Sequence, residues 1–193
     1  MLYTRTPQVR AAHLKALVAA LEALGAARAA GARAAVPPWI MRRIDAATRL
    51  EWLPADYLVS VCEAVERCGA EALRAWGAAS LEVIFRAPLV RAAYELAMAF
   101  GRHRPAVMLS YLARAWPLLY QGCGDLVVVE ASPTAMDIVH APVPELLRRE
   151  AAVLPLVGAF EAIPLRCGVA SARGRADWAT GTERFVYAIE WGA

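Results

Sequence analysis

Apolar positions Val9, Leu14, Leu17, Val18, Leu21 and Leu24 recur at helical spacing, which predicts one helix over residues 8–30 with a single apolar face. "GARAAVPPWI" (31–40) breaks the pattern, because Pro37 and Pro38 each force extended geometry on the residue before them. "LEWLPADYLVSVCEAVERCG" then predicts a helix with Pro54 near its first turn, Gly69 just past its end, and an inner stripe of Leu58, Val61, Cys62 and Val65. A third helical pattern covers roughly residues 70–86. A fourth begins at "APLVRAAYELAMAFG" and stops at Gly101. A fifth follows Arg104-Pro105 as far as Gly122, with a kink or weakened turn expected at Pro117.

After Gly124 the period changes. "DLVVVEA" (125–131) and "AMDIVHA" (135–141) are short, rich in branched residues and joined by "SPT", which predicts a hairpin or two neighbouring strands. In "ERFVYAIEW" (183–191), Phe185, Tyr187, Ile189 and Trp191 alternate with more polar positions, as in a half-buried antiparallel strand, and "GVASARGRADW" (168–178) precedes it. Between the strand pairs lies "AAVLPLVGAFEAIPLRCG" (151–168). Val153, Leu156, Val157, Phe160 and Ile163 or Pro164 share a helical face there, Gly158 is expected to let the helix approach the sheet, and Gly168 to end it. The expectation is one α+β domain over residues 1–193. Its N-terminal half is helical, and a β-β-α-β-β antiparallel sheet covered by a helix follows. The helix of residues 1–35 is a candidate peripheral extension.

Composition narrows the functional classes. Hydrophobic residues make up 59% and mean hydropathy is +0.39, but alanine, small and helix-favouring, supplies much of this. No run of 18 apolar residues occurs, so no membrane span is expected. The N-terminus is Arg-rich like an organellar transit peptide, yet it lacks the uncharged apolar core of a secretory signal, and the expected location is cytoplasmic. Net charge is +3, with basic and acidic residues interspersed, which argues against a nucleic-acid footprint. Cys62, Cys68, Cys123 and Cys167 form no CxxC pair and are expected to be reduced and packed.

The chain carries no recognisable catalytic set. His13, His103 and His140 fall on different elements without common spacing, and His103 in "GRHRP" reads as a solvated loop residue. Asp137 and His140, three apart on a strand, face opposite ways, so they form no dyad. GxSxG, GxxxxGK[ST] and GxGxxG are missing, and the only lysine is Lys15. Glu161 interrupts the apolar stretch. It belongs either on the outer helix face or against a cavity. Trp39 and Trp52 lie beside proline-containing segments, and tryptophan favours interfaces. Trp76, Trp116 and Trp191 occupy core-type positions.

"LEWLPADYLVSVCEAVERCGAEAL", "GRHRPAVMLSYLARAWPLLYQGCGDLVVVE", "PLVGAFEAIPLRCGV" and "ERFVYAIEW" together resemble a myxobacterial paralogous family of proteins of unknown function, with Gly158, Glu161, Leu165 and Gly168 forming "GxxExxxLxxG". The tail is also similar to a wider group of heme-nitric-oxide-binding domains, vinyl-reductase-type ligand-binding domains and TRAPP vesicle-tethering subunits. That resemblance implies a small apolar ligand or a dimeric scaffold. Heme in this group requires an axial histidine and Tyr-x-Ser-x-Arg, whereas "YLARA" (111–115) carries Ala113 and Ala115 at the last two motif positions. The cysteine cluster of the vinyl-reductase type is missing. No cofactor or metal is expected.

Two readings result. The first is a non-enzymatic regulatory or protein-interaction module, homodimeric or with a protein partner, using Trp39, Ile40 and Trp52. The second is a sensor enclosing a small apolar ligand between helices and sheet, lined by Val157, Phe160 and Glu161.

Overall fold

The computed structural model describes residues 6–86, 104–179 and 182–192; the fourth helical pattern and His103 lie outside them. The described order is β1 (Gln8–Arg10), α1 (Ala11–Ala20), a 3-10 turn (Leu21–Leu24), α2 (Ala26–Ala35), α3 (Pro38–Ala46), β2 (Trp52–Pro54), α4 (Ala55–Glu66), α5 (Ala70–Phe85), α6 (Pro105–Leu119), β3 (Tyr120–Gln121), β4 (Asp125–Ser132), β5 (Ala135–Ala141), a 3-10 turn (Glu145–Leu147), α7 (Glu150–Arg166), β6 (Ser171–Asp177) and β7 (Phe185–Gly192). The chain has the expected α+β architecture, with helices first and an antiparallel β4-β5-β7-β6 sheet after them.

The expected helix over 8–30 is three pieces. Gly25 has φ +84°, a conformation cheap only for glycine, and it separates the 3-10 turn from α2. Residues 8–10 form a strand because Val9, flanked by polar neighbours, pairs with Leu53 on one side and Tyr120 on the other in a β2-β1-β3 sheet. α1 buries Ala11, His13, Leu14, Ala16, Leu17, Val18 and Ala20, and α5 packs beside it. A helix apolar on nearly every side belongs inside, so residues 8–20 are core and not a peripheral extension.

α7 lies between α5 and the sheet. Of the expected face, Val153, Val157, Phe160, Ile163 and Pro164 are buried and Leu156 is half-buried, and Gly168 at φ +90° follows its last turn. Gly158 serves a different contact from the one expected. A Cβ there would strike the Arg74 carbonyl oxygen of α5, and a Cβ at Gly77 would strike the Pro155 carbonyl oxygen of α7. The two glycines therefore permit a close helix-helix crossing. Close approach to the sheet depends instead on Gly174 of β6, where a Cβ would crowd the side chains of Val157, Glu161 and Ile189.

The inner sheet face alternates as the sequence implies. Met136, Ile138 and His140 of β5 point inward with Phe185, Tyr187 and Ile189 of β7, while Asp137 points outward. One cluster of buried apolar residues runs from Val9 to Ile189.

Candidate functional site: an apolar cavity with two buried histidines

Helix α7 cannot close completely on its neighbours. A void remains beside Pro155 and Ala159, where α1, α4, α5, α6, α7 and the sheet converge. The cavity measures about 70 Å³. Leu17, Leu58, Trp76, Leu81, Leu112, Leu156, Phe160, Phe185 and Tyr187 supply most of its wall. The polar lining residues are few. Trp76 Nε1 donates to the Leu17 carbonyl at 2.8 Å, which fixes the indole across α5 and α1, and Ser80 Oγ donates to the Gly77 carbonyl at 2.7 Å. Trp116 Nε1 donates to the Gly124 carbonyl at 2.8 Å.

Two of the three histidines meet at this cavity. His13 Nε2 lies 2.5 Å from the Tyr120 hydroxyl, and His140 Nε2 donates to the Cys123 carbonyl at 2.7 Å. The rings form a continuous run. Trp116 stacks on Tyr120 with centroids 3.8 Å apart and meets His140 edge-on at 5.2 Å. Tyr187 lies under His140 and contacts Phe160. The Nδ1 atoms of both histidines are buried without a hydrogen-bond partner.

Burial sets the electrostatics. It pushes the His13 imidazole down to about 4 and lowers that of His140, where the Cys123 carbonyl and Asp125 oppose the shift in part. It pushes the Cys62 thiol in the same wall up to about 12 and the Tyr120 and Tyr187 hydroxyls upward. At neutral pH these wall groups are uncharged, so the site suits a neutral guest. Cys62 as a thiol is a poor nucleophile. Among the described residues no group of three or more His, Cys, Asp or Glu side chains could hold a metal ion, and no helix is long and apolar enough to cross a membrane.

Of the residues expected to line a cavity, Phe160 does so. Val157 faces Gly174 of the sheet instead. Glu161 is a latch: its Oε1 accepts the Gly174 N–H at 2.6 Å and an Arg74 guanidinium N–H at 2.5 Å, while the same guanidinium nitrogen donates to the Gly174 carbonyl at 2.9 Å. It thereby ties α7 to α5 and β6. The tryptophan pair is divided. Trp39 is 55% exposed and meets Tyr57 edge-on, Trp52 is half-buried under the Arg10 guanidinium, and Ile40 is buried in the core and presents no surface. Sequence reasoning missed His13 and His140. The signal was there: His13 sits among the apolar positions of α1, and His140 takes an inward place in the alternation Met136, Ile138, His140.

No family model and no curated protein matches the chain. Solved structures do match. An unliganded Fe(II) H-NOX protein from K. algicida superposes with a TM-score of 0.62 at 10% identity, covering 95% of this chain and 97% of that one. An oxygen-binding H-NOX domain related to soluble guanylate cyclases superposes with a TM-score of 0.58 at 13% identity, covering 93% of each chain. A structure concerned with heme redox potential and protein-induced porphyrin distortion gives 0.54 at 14% identity, again over 93% of each. These likenesses span nearly the whole of each chain, and the protein has the fold of the heme-nitric-oxide/oxygen-binding domains.

Proposed function

We propose that the protein is a sensor domain that encloses a small, neutral, apolar ligand in the cavity between its helices and its sheet. The observation that carries this reading is the cavity itself: about 70 Å³, walled by aliphatic and aromatic side chains, with its titratable groups held neutral by burial. Ligand sites are typically apolar concavities with a few placed polar groups, and this one has that composition. The fold shared with oxygen-binding H-NOX domains supports it. No set of side chains in the wall suits covalent or acid-base chemistry, so the reading is one of binding.

Heme does not fit the described site. Trp76, Trp116, Phe160 and Tyr187 crowd the cavity. Among the described residues no arginine or lysine lines it to meet propionates. Among the described residues, helix α6 carries no histidine and His13 and His140 already commit their Nε2 atoms to protein partners; His103 lies outside them.

Titration with furan, followed by amide chemical shifts, tests the proposal. Saturable shifts are expected at Trp76, Phe160 and Tyr187. An Ala159→Leu variant, which fills the void, should lose them while remaining folded. Absence of saturable binding, or stoichiometric uptake of hemin with a ligated Soret band, would overturn it.

A further inference from the structure

Arg10 joins three segments at one point of the surface. It ends β1, and its guanidinium reaches in two directions. Nε donates to the Leu118 carbonyl at 3.2 Å, and Nη1 donates to the Leu50 carbonyl at 2.5 Å. The same group lies over the Trp52 ring, 3.7 Å from its centroid. Leu50 is 79% exposed and Leu118 is 66% exposed, more than any other large apolar side chain among the described residues. One guanidinium therefore gathers the two most exposed leucines and a half-buried tryptophan. Helix α6 turns Leu112, Trp116 and Leu119 to the cavity, while Tyr111, Arg114 and Leu118 form an outer stripe at helical spacing. The face thus lies on the back of the cavity wall.

The surrounding charge is unbalanced. Arg10, Arg49 and Arg114 have no carboxylate partner among the described residues, and the neighbouring Glu51 is held by Arg43. Exposed leucines among unpaired arginines suit a partner that is apolar and anionic at once. An arginine held by two carbonyls and a ring presents a fixed fork, which fits a carboxylate. Three such cations fall short of the roughly four to eight that bind a protein to an anionic lipid surface. With the Leu50 and Leu118 carbonyls already accepting from Arg10, the face offers side chains and not a strand edge, as helix docking requires.

We propose that the face formed by Leu50, Trp52 and Leu118 around Arg10 docks an acidic amphipathic helix of a protein partner. The helix seats apolar side chains on the two leucines and sets its flanking carboxylates against the arginines. Of the aromatic residues near the prolines, Trp52 belongs to this interface and Trp39 does not. The proposal holds whatever the cavity contains.

A synthetic amphipathic peptide, with leucines on one helical face and glutamates beside them, tests it against the same peptide with glutamine for glutamate. With the acidic peptide the intact protein should show saturable methyl shifts at Leu50 and Leu118 and a shift of the Trp52 indole N–H. The glutamine peptide should bind about tenfold more weakly, the value of one charge-assisted hydrogen bond. A Leu50→Ser/Leu118→Ser variant should lose binding with its urea midpoint unchanged, since both side chains are exposed. An Arg114→Gln variant should narrow the preference between the peptides. Equal affinity for the two, saturable shifts confined to other faces, or no binding would overturn the proposal. So would binding of phosphatidylserine vesicles in place of the peptide, which assigns the face to a lipid surface. Dimerisation abolished by the leucine substitutions would overturn it too, by assigning the face to a second copy.

Discussion

At the scale of the residue, the imidazoles are the groups whose state matters most. His13 titrates at about 4 when folded and near 6.5 when unfolded. Between those values the unfolded chain binds the extra proton, so stability is complete above pH 6.5 and falls as pH drops toward 4. The loss from this residue alone is about 3 kcal/mol, and His140, also lowered by burial, adds to it. Urea midpoints measured at pH 7 and pH 4.5 should show this decline. A His13→Gln variant keeps a hydrogen-bonding group for Tyr120 but does not titrate, and its decline should be correspondingly shallower. A slope identical to wild type would mean that His13 is not held neutral. These residues were hard to find in the sequence because a histidine in an apolar stripe looks like any inward position. Its significance depends on which other elements meet it, and α1 and β5 are more than a hundred residues apart.

At the scale of the element, α5 and α7 cross with backbone close against backbone. Gly77 and Gly158 bring backbone against backbone, and the Arg74–Glu161–Gly174 latch holds the crossing to β6. Gly158→Ala places a methyl group on the Arg74 carbonyl, which a rigid helix backbone cannot yield, and should cost about 3 kcal/mol by denaturant unfolding. Glu161→Gln retains one acceptor but loses the charge-assisted bond to Arg74, and should cost about 1–2 kcal/mol. Were Gly158→Ala neutral, the helices would not cross as closely as described. The sequence shows that α7 exists, where it ends and which face it buries, because periodicity and Gly168 encode those directly. Which neighbour each glycine admits is a matter of tertiary packing, and Gly158 meets α5 although the sheet was the expected partner. The strands β1 and β2 were invisible for a related reason. Three residues offer too few repeats to show a period, and only pairing across the chain makes them strands.

At the scale of the whole molecule, the N-terminal segment and the C-terminal half share one core. Val9, fully buried, holds β2 and β3 together, and Trp76 is bonded to the Leu17 carbonyl. Deleting residues 6–20 should therefore abolish cooperative unfolding of the entire chain, where a peripheral extension would be lost without consequence. The α+β order was legible because the hydrophobic period switches from helical to alternating at Gly124. The cavity was not, because a void is what side chains from many distant elements fail to fill, and no local pattern records that. The likeness to heme-nitric-oxide/oxygen-binding domains covers both halves, while bulky aromatic residues occupy the surroundings of the void.

As a sensor cavity, the void admits small apolar guests. A crystal of the protein pressurised with xenon tests it most directly, since xenon enters dry apolar cavities of suitable size. A single strong xenon peak is expected among Trp76, Ala159, Phe160 and Tyr187, lost in the Ala159→Leu variant. Xenon density elsewhere only, or an unpressurised structure with side chains closed over the void, would contradict it.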